Sequence, residues 1–208
     1  MKMLTVRALL AIALLTAIVI APVQPASAIP IVPTNLDFLA VGGQFGPAHV
    51  DTVLGFGGLD LGKLKDKVYY DGSWYTYVHW FTPSVANPNV SELNTGFNVL
   101  GFNGVAGYSF NDAVSAAVAF SVELDPDGTL DWEVSSGAGT WGVGETVALF
   151  FQSDRPPTIG PYNVIDGEVG RGYSYAPVPT LASFGLSLIG LGLLGTHQIF
   201  RRRGVKTG

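Results

Sequence analysis

Side chains able to do chemistry fall into four groups. The run Asp125-x-Asp127-Gly128-x-x-Asp131-x-Glu133 gathers four carboxylates within nine residues, and hard oxygen donors of that kind suit Ca2+. It lacks the full Asp-x-Asp-x-Asp-Gly loop and the bidentate Glu at the twelfth position. Two readings therefore stand: a calcium site on Asp125, Asp127 and Asp131, or a solvated acidic turn. The second group is Trp74-Tyr75-Thr76-Tyr77-Val78-His79-Trp80-Phe81. As a strand it sets Trp74, Thr76, Val78 and Trp80 on one face and Tyr75, Tyr77, His79 and Phe81 on the other. One face belongs to a core. The other, carrying Tyr75, Tyr77 and His79, is an amphipathic strip of rings suited to stacking on sugars, and a strand buried on both faces explains the same pattern. Third, His49 and Asp51 share a face if the chain is extended there. No Gly-x-Ser-x-Gly nucleophile motif accompanies them, so no catalytic residue is assigned. Fourth, Lys63-x-Lys65-x-Lys67, beside Asp60 and Asp66, reads as a solvated loop or edge-strand protection, with anionic-ligand binding as the alternative.

The elements that must position these groups are strands. Gly and Pro punctuate short runs rich in Val, Phe, Tyr and Trp. Apolar alternation over 114–124, then Asp125-Pro126-Asp127-Gly128, then alternation over 130–134, predicts a hairpin, although the Ala-rich start at 111–119 also suits a short helix. Further strands are expected at 67–70, 74–81, 96–102 and 145–152, with weaker ones at 51–55 and 162–166. Asp71-Gly72 marks a tight turn, and Asn103-Gly104 is another turn candidate. The pattern predicts an all-β fold, a single jelly-roll-like β-sandwich. Cysteine is absent, which excludes disulfides, thiolate chemistry and Cys-based metal sites.

Both termini differ from the middle. Lys2 and Arg7, the apolar run 8–20 and Ala26-Ser27-Ala28 compose a signal peptide over residues 1–28, cut by signal peptidase after Ala28. The exported domain is expected at 29–175. Residues 176–208 hold a Pro-rich hinge, an uncharged apolar stretch over 181–200 and the cluster Arg201-Arg202-Arg203. Twenty residues at about 1.5 Å each span about 30 Å, one bilayer core, and the arginines hold the C-terminus inside, giving an N-out, C-in topology. Of the eleven basic residues six lie in these flanks, leaving five against sixteen acidic residues in the middle. Such an excess disfavours nucleic acid and anionic lipid as partners.

Pro177-Val178-Pro179, followed by an apolar helix and an Arg cluster, resembles the PEP-CTERM and IPTL-CTERM sorting signals. Val178-Pro179-Thr180-Leu181 is similar to the Ile-Pro-Thr-Leu form, and Val178 stands where the Pro-Glu-Pro form has Glu. The resemblance covers about the last thirty residues. It implies processing by an exosortase-like membrane protease, transient inner-membrane anchoring, delivery to the envelope, surface or extracellular matrix, and exopolysaccharide as a partner. The expectation is a non-enzymatic surface or biofilm-matrix protein with no cofactor beyond the candidate Ca2+. The alternatives are an exopolysaccharide-binding module and a secreted glycan hydrolase.

Overall fold

The computed structural model describes residues 26–84, 90–111, 118–135, 141–165, 167 and 169–179. These form twelve strands: β1 (Ile29–Ile31), β2 (Thr34–Asn35), β3 (Gly43–Leu54), β4 (Asp60–Tyr70), β5 (Tyr75–Pro83), β6 (Glu92–Thr95), β7 (Phe102–Tyr108), β8 (Phe120–Leu124), β9 (Leu130–Val134), β10 (Val147–Ser153), β11 (Pro157–Ile165) and β12 (Val169–Pro177). They join in one sheet of order β1-β8-β9-β6-β11-β12-β3-β4-β5-β10-β7-β2. Pairing is antiparallel except for β2 with β7. Among the described residues the helical turns are 3-10 only, and the fold is all-β.

The sheet curls onto itself. Trp132 on β9 donates its indole N–H to the carbonyl of Gly107 on β7, 3.0 Å away, although several strands separate the two along the ladder. Inside the curl lies the main core, with Trp132, Trp141, Phe81, Phe151, Leu64, Leu93 and Tyr162 buried. Full burial of side chains of this size is worth about 1.5–3 kcal/mol each. A second, smaller cluster of Val78, Ala148 and Phe150 sits on the outer face under Leu36 and Leu39. β10 is therefore buried along its whole length, which is why Val147-Ala148-Leu149-Phe150-Phe151 reads as a continuous apolar run.

The joint between β12 and β3 is unlike the others. Only Arg171 and Leu54 stand in register there. Beyond that pair two carboxylates take over from backbone carbonyls: Asp51 accepts from the amide of Tyr173 at 2.7 Å, and Asp66 from the amide of Tyr175 at 2.6 Å. β12 lies close to β3 and β4 because its inward positions are small. A Cβ on Gly170 would sit 2.3 Å from a methyl of Leu61, and one on Gly172 would sit 2.8 Å from a methyl of Val53.

Both expected hairpins form, with Asp71-Gly72 linking β4 to β5 and Asp125 to Gly128 linking β8 to β9. Of the long strand expected at 114–124, residues 112–117 lie outside the described residues and β8 begins at Phe120. Four expectations are corrected. Residues 96–101 are turns and coil, with Gly101 at φ +70°, and the strand starts at Phe102. Asn103-Gly104 lies inside β7, where Asn103 is held by Gln152. The lysine run protects no edge, since β4 has β3 on one side and β5 on the other. The hinge expected from residue 176 also begins within the sheet, because β12 includes Ala176 and a buried Pro177. The membrane helix over 181–200 and Arg201, Arg202 and Arg203 lie outside the described residues, among which no helix is long and apolar enough to cross a membrane.

Gly170→Ala should cost about 1–3 kcal/mol by overpacking against Leu61 and Val53, read as a lowered urea midpoint with an unchanged slope.

Candidate functional site

The strongest polar constellation occupies the corner where β12 meets β3 and β4. The alternation of β4 turns Leu64, Asp66 and Val68 inward, so a carboxylate enters the core phase of an otherwise apolar face. β5 contributes His79, β11 Tyr162 and β12 Ser174, all with no exposed surface. Tyr162 Oη lies 3.0 Å from His79 Nε2 and also donates to the Tyr175 carbonyl at 2.8 Å. His79 Nδ1 is 2.8 Å from Ser174 Oγ, and Ser174 donates to Asp66 Oδ2 at 2.5 Å. His49, from β3, places Nδ1 3.3 Å from Asp66 Oδ1.

Proton bookkeeping along this chain has one direction. Burial pushes His79 down to about 3, so the ring is neutral near pH 7. Ser174 gives its single proton to Asp66, so the proton between His79 and Ser174 belongs to Nδ1, and Nε2 faces the Tyr162 oxygen, whose one proton is shared between Nε2 and the Tyr175 carbonyl. Burial raises Asp66 above the ordinary carboxylate range, opposed by the bonds from Ser174 and Tyr175 and by His49. Serine, histidine and aspartate are thus present in the wrong sequence for nucleophilic catalysis. A hydrolase needs the imidazole to accept the serine proton while the acid holds the far nitrogen; here the serine stands between base and acid, and neither it nor His79 is reachable from solvent. The arrangement clamps strands together.

The other expected site residues disperse. Tyr77 and His79 are wholly buried, Tyr77 bonding the Arg155 carbonyl, so the exposed ring strip of Tyr75, Tyr77 and His79 does not form. β5 is covered on both faces over most of its length. Tyr75 instead joins a cluster at the hairpin tip, stacked 4.4 Å from Tyr70 and edge-on to Phe45 at 5.2 Å. Asp51 serves Tyr173, and His49 faces Asp66, so these two do not form an acid–base pair with each other.

In the acidic turn, Asp127 accepts from the amide and hydroxyl of Thr129, and these bonds lower its pKa. Asp131 is pushed up to about 7, first by burial and then by the charges of Asp125 and Glu92. Among the described residues no group of three or more His, Asp or Glu converges in a metal-holding geometry. No protein-family model, curated protein or solved structure matches the chain.

The sequence carried a signal for Asp66, whose parity matches Leu64 and Val68. Ser174 and Tyr162 are brought to it only by long-range pairing.

Ser174→Ala should cost about 1–3 kcal/mol, because His79 Nδ1–H and a buried carboxylate each lose a partner; chemical denaturation reads it. A carboxyl with a raised pKa contributes stability that is whole below about 3.8 and lost as pH rises through about 7. The melting temperature of Asp131→Asn should therefore climb relative to the unsubstituted protein between pH 4 and pH 7 and run parallel to it above.

Proposed function

We propose that this chain is an exported, non-enzymatic surface or matrix protein, held in the inner membrane by its C-terminal segment and released by an exosortase-like protease. One observation carries the reading. Among the described residues the first strand begins at Ile29, the residue after the expected leader cleavage site, and the last ends at Pro177, inside the sorting motif. The described strands therefore lie between the two expected cuts. The resemblance of Pro177-Val178-Pro179-Thr180-Leu181 to known sorting signals supplies the destination. We read the curled sheet as a jelly-roll-like sandwich with a leader and a membrane helix at its ends, and the closed order of Ser174, His79 and Asp66 supports a binding or structural role.

Two features bear on where the proposed protease would act. Pro177 is buried, and the amide of Val178 is held by the Pro156 carbonyl at 2.9 Å, whereas Val178 and Pro179 are exposed. An extended Pro-x-Pro segment offers few amide donors and stays out of helix, which suits a cleft at the membrane surface. A second reading, an exopolysaccharide-binding module, is favoured by one surface, the lysine-bearing face of β4.

Mass spectrometry of the native secreted product should give Ile29 as the first residue and a last residue between Pro179 and Leu181. An intact terminus at Gly208, or a cytosolic chain retaining residues 1–28, would overturn the proposal.

A further inference from the structure

We propose that the outer face of β3, β4 and β5 binds an acidic, carboxylate-bearing polysaccharide along the line Lys63, Lys65 and Lys67. The ligand class rests on the export reading, since such polymers are met outside the cell; the groove itself is read from the fold.

Because Leu64, Asp66 and Val68 are buried inward, strand alternation turns all three lysines outward. They are three of the five cations between the leader and the tail, gathered on one strand of a segment with sixteen acids. Register places Lys65 between Val50 and Trp80, and Lys63 between Thr52 and Thr82. Val50, Lys63, Lys65, Trp80, Thr82 and Thr146 line a groove of about 370 Å³. Lys63 is oriented by the Thr52 hydroxyl at 2.6 Å and lies 3.6 Å from Asp60. Among the described residues no carboxylate stands within ion-pair distance of Lys65 or Lys67.

Each part of the groove matches one feature of an acidic sugar. The lysines offer point charges to carboxylates. Trp80 supplies an aromatic wall against which the apolar C–H face of a sugar ring can be buried. The hydroxyls of Thr82 and Thr146 lie 2.7 Å apart, so one proton is used between them and the other remains for a ligand hydroxyl. From Lys63 to Lys67 the face runs about 13 Å at strand rise, a length suited to a linear polymer, whereas a single small anion would need only one or two of these charges. Nucleic acid is disfavoured because its dense phosphate charge meets a strongly acidic domain beyond the stripe.

The test uses the full chain in an uncharged detergent, with oligogalacturonate, a neutral galacto-oligosaccharide of equal length, inorganic phosphate and a single-stranded oligodeoxynucleotide as probes in calorimetric titration. Oligogalacturonate should bind, the neutral sugar and phosphate should bind at least tenfold more weakly, and added salt should weaken the complex. Lys65→Glu and Lys67→Glu should each reduce affinity at least tenfold at an unchanged melting temperature. Trp80→Tyr, which keeps a ring over the outer cluster, should retain part of it. Equal binding of the neutral sugar, equal binding of phosphate, tighter binding of the oligonucleotide, or indifference to the lysine variants would each overturn the proposal. A cytosolic, unprocessed chain that still binds oligogalacturonate would sink the export reading and leave the groove standing.

Discussion

Two carboxylates substituting for a backbone ladder hold this fold in its shape. At the corner between β12 and β3 a single register pair is followed by Asp51 on the Tyr173 amide and Asp66 on the Tyr175 amide. A buried carboxylate is tolerated only when its oxygens are bonded, and stripping away a partner leaves a charge with nowhere to go. Asp66 therefore fixes where β12 stops along β4, more strictly than an apolar contact would. Ser174, His79 and Tyr162 then carry that constraint to β5 and β11.

Local chemistry was readable wherever it was decided locally. Asp71-Gly72 and Asp125 to Gly128 sit in turns because Asp accepts from amides two and three residues on, as Asp71 does from Ser73 and Trp74, and because Gly128 supplies φ +85°. The parity of β5 separated its two faces correctly, yet parity cannot say that both are covered; that depends on β10, β11 and the segment bearing Leu36 and Leu39. β12 escapes a sequence reading because Gly170 and Gly172 look like punctuation, when they are the small residues a close strand crossing requires. Asn103-Gly104 errs in the opposite sense, a turn signature absorbed by β7.

The same reasoning explains why chemistry-bearing residues changed roles. His79 lies on the inward phase of a strand whose neighbours close over it, so a residue type associated with catalysis becomes a neutral connector between a phenol and a hydroxyl. The lysines of β4 lie on the outward phase of that corner's central strand, so a run resembling edge protection becomes a cationic stripe beside a tryptophan. Among the described residues one strand thus supplies both a buried carboxyl and three of the five cations, through nothing more than alternation.

The end of β12 at Pro177 has a mechanical side. Tension applied beyond Pro179 would enter at the end of an interior strand that shares nine register pairs with β11 and two amide–carboxylate clasps with its other flank. To pull that strand free, the load must rupture those bonds together with the packing beneath them. A sheet built in this way resists a pull applied along its last described strand.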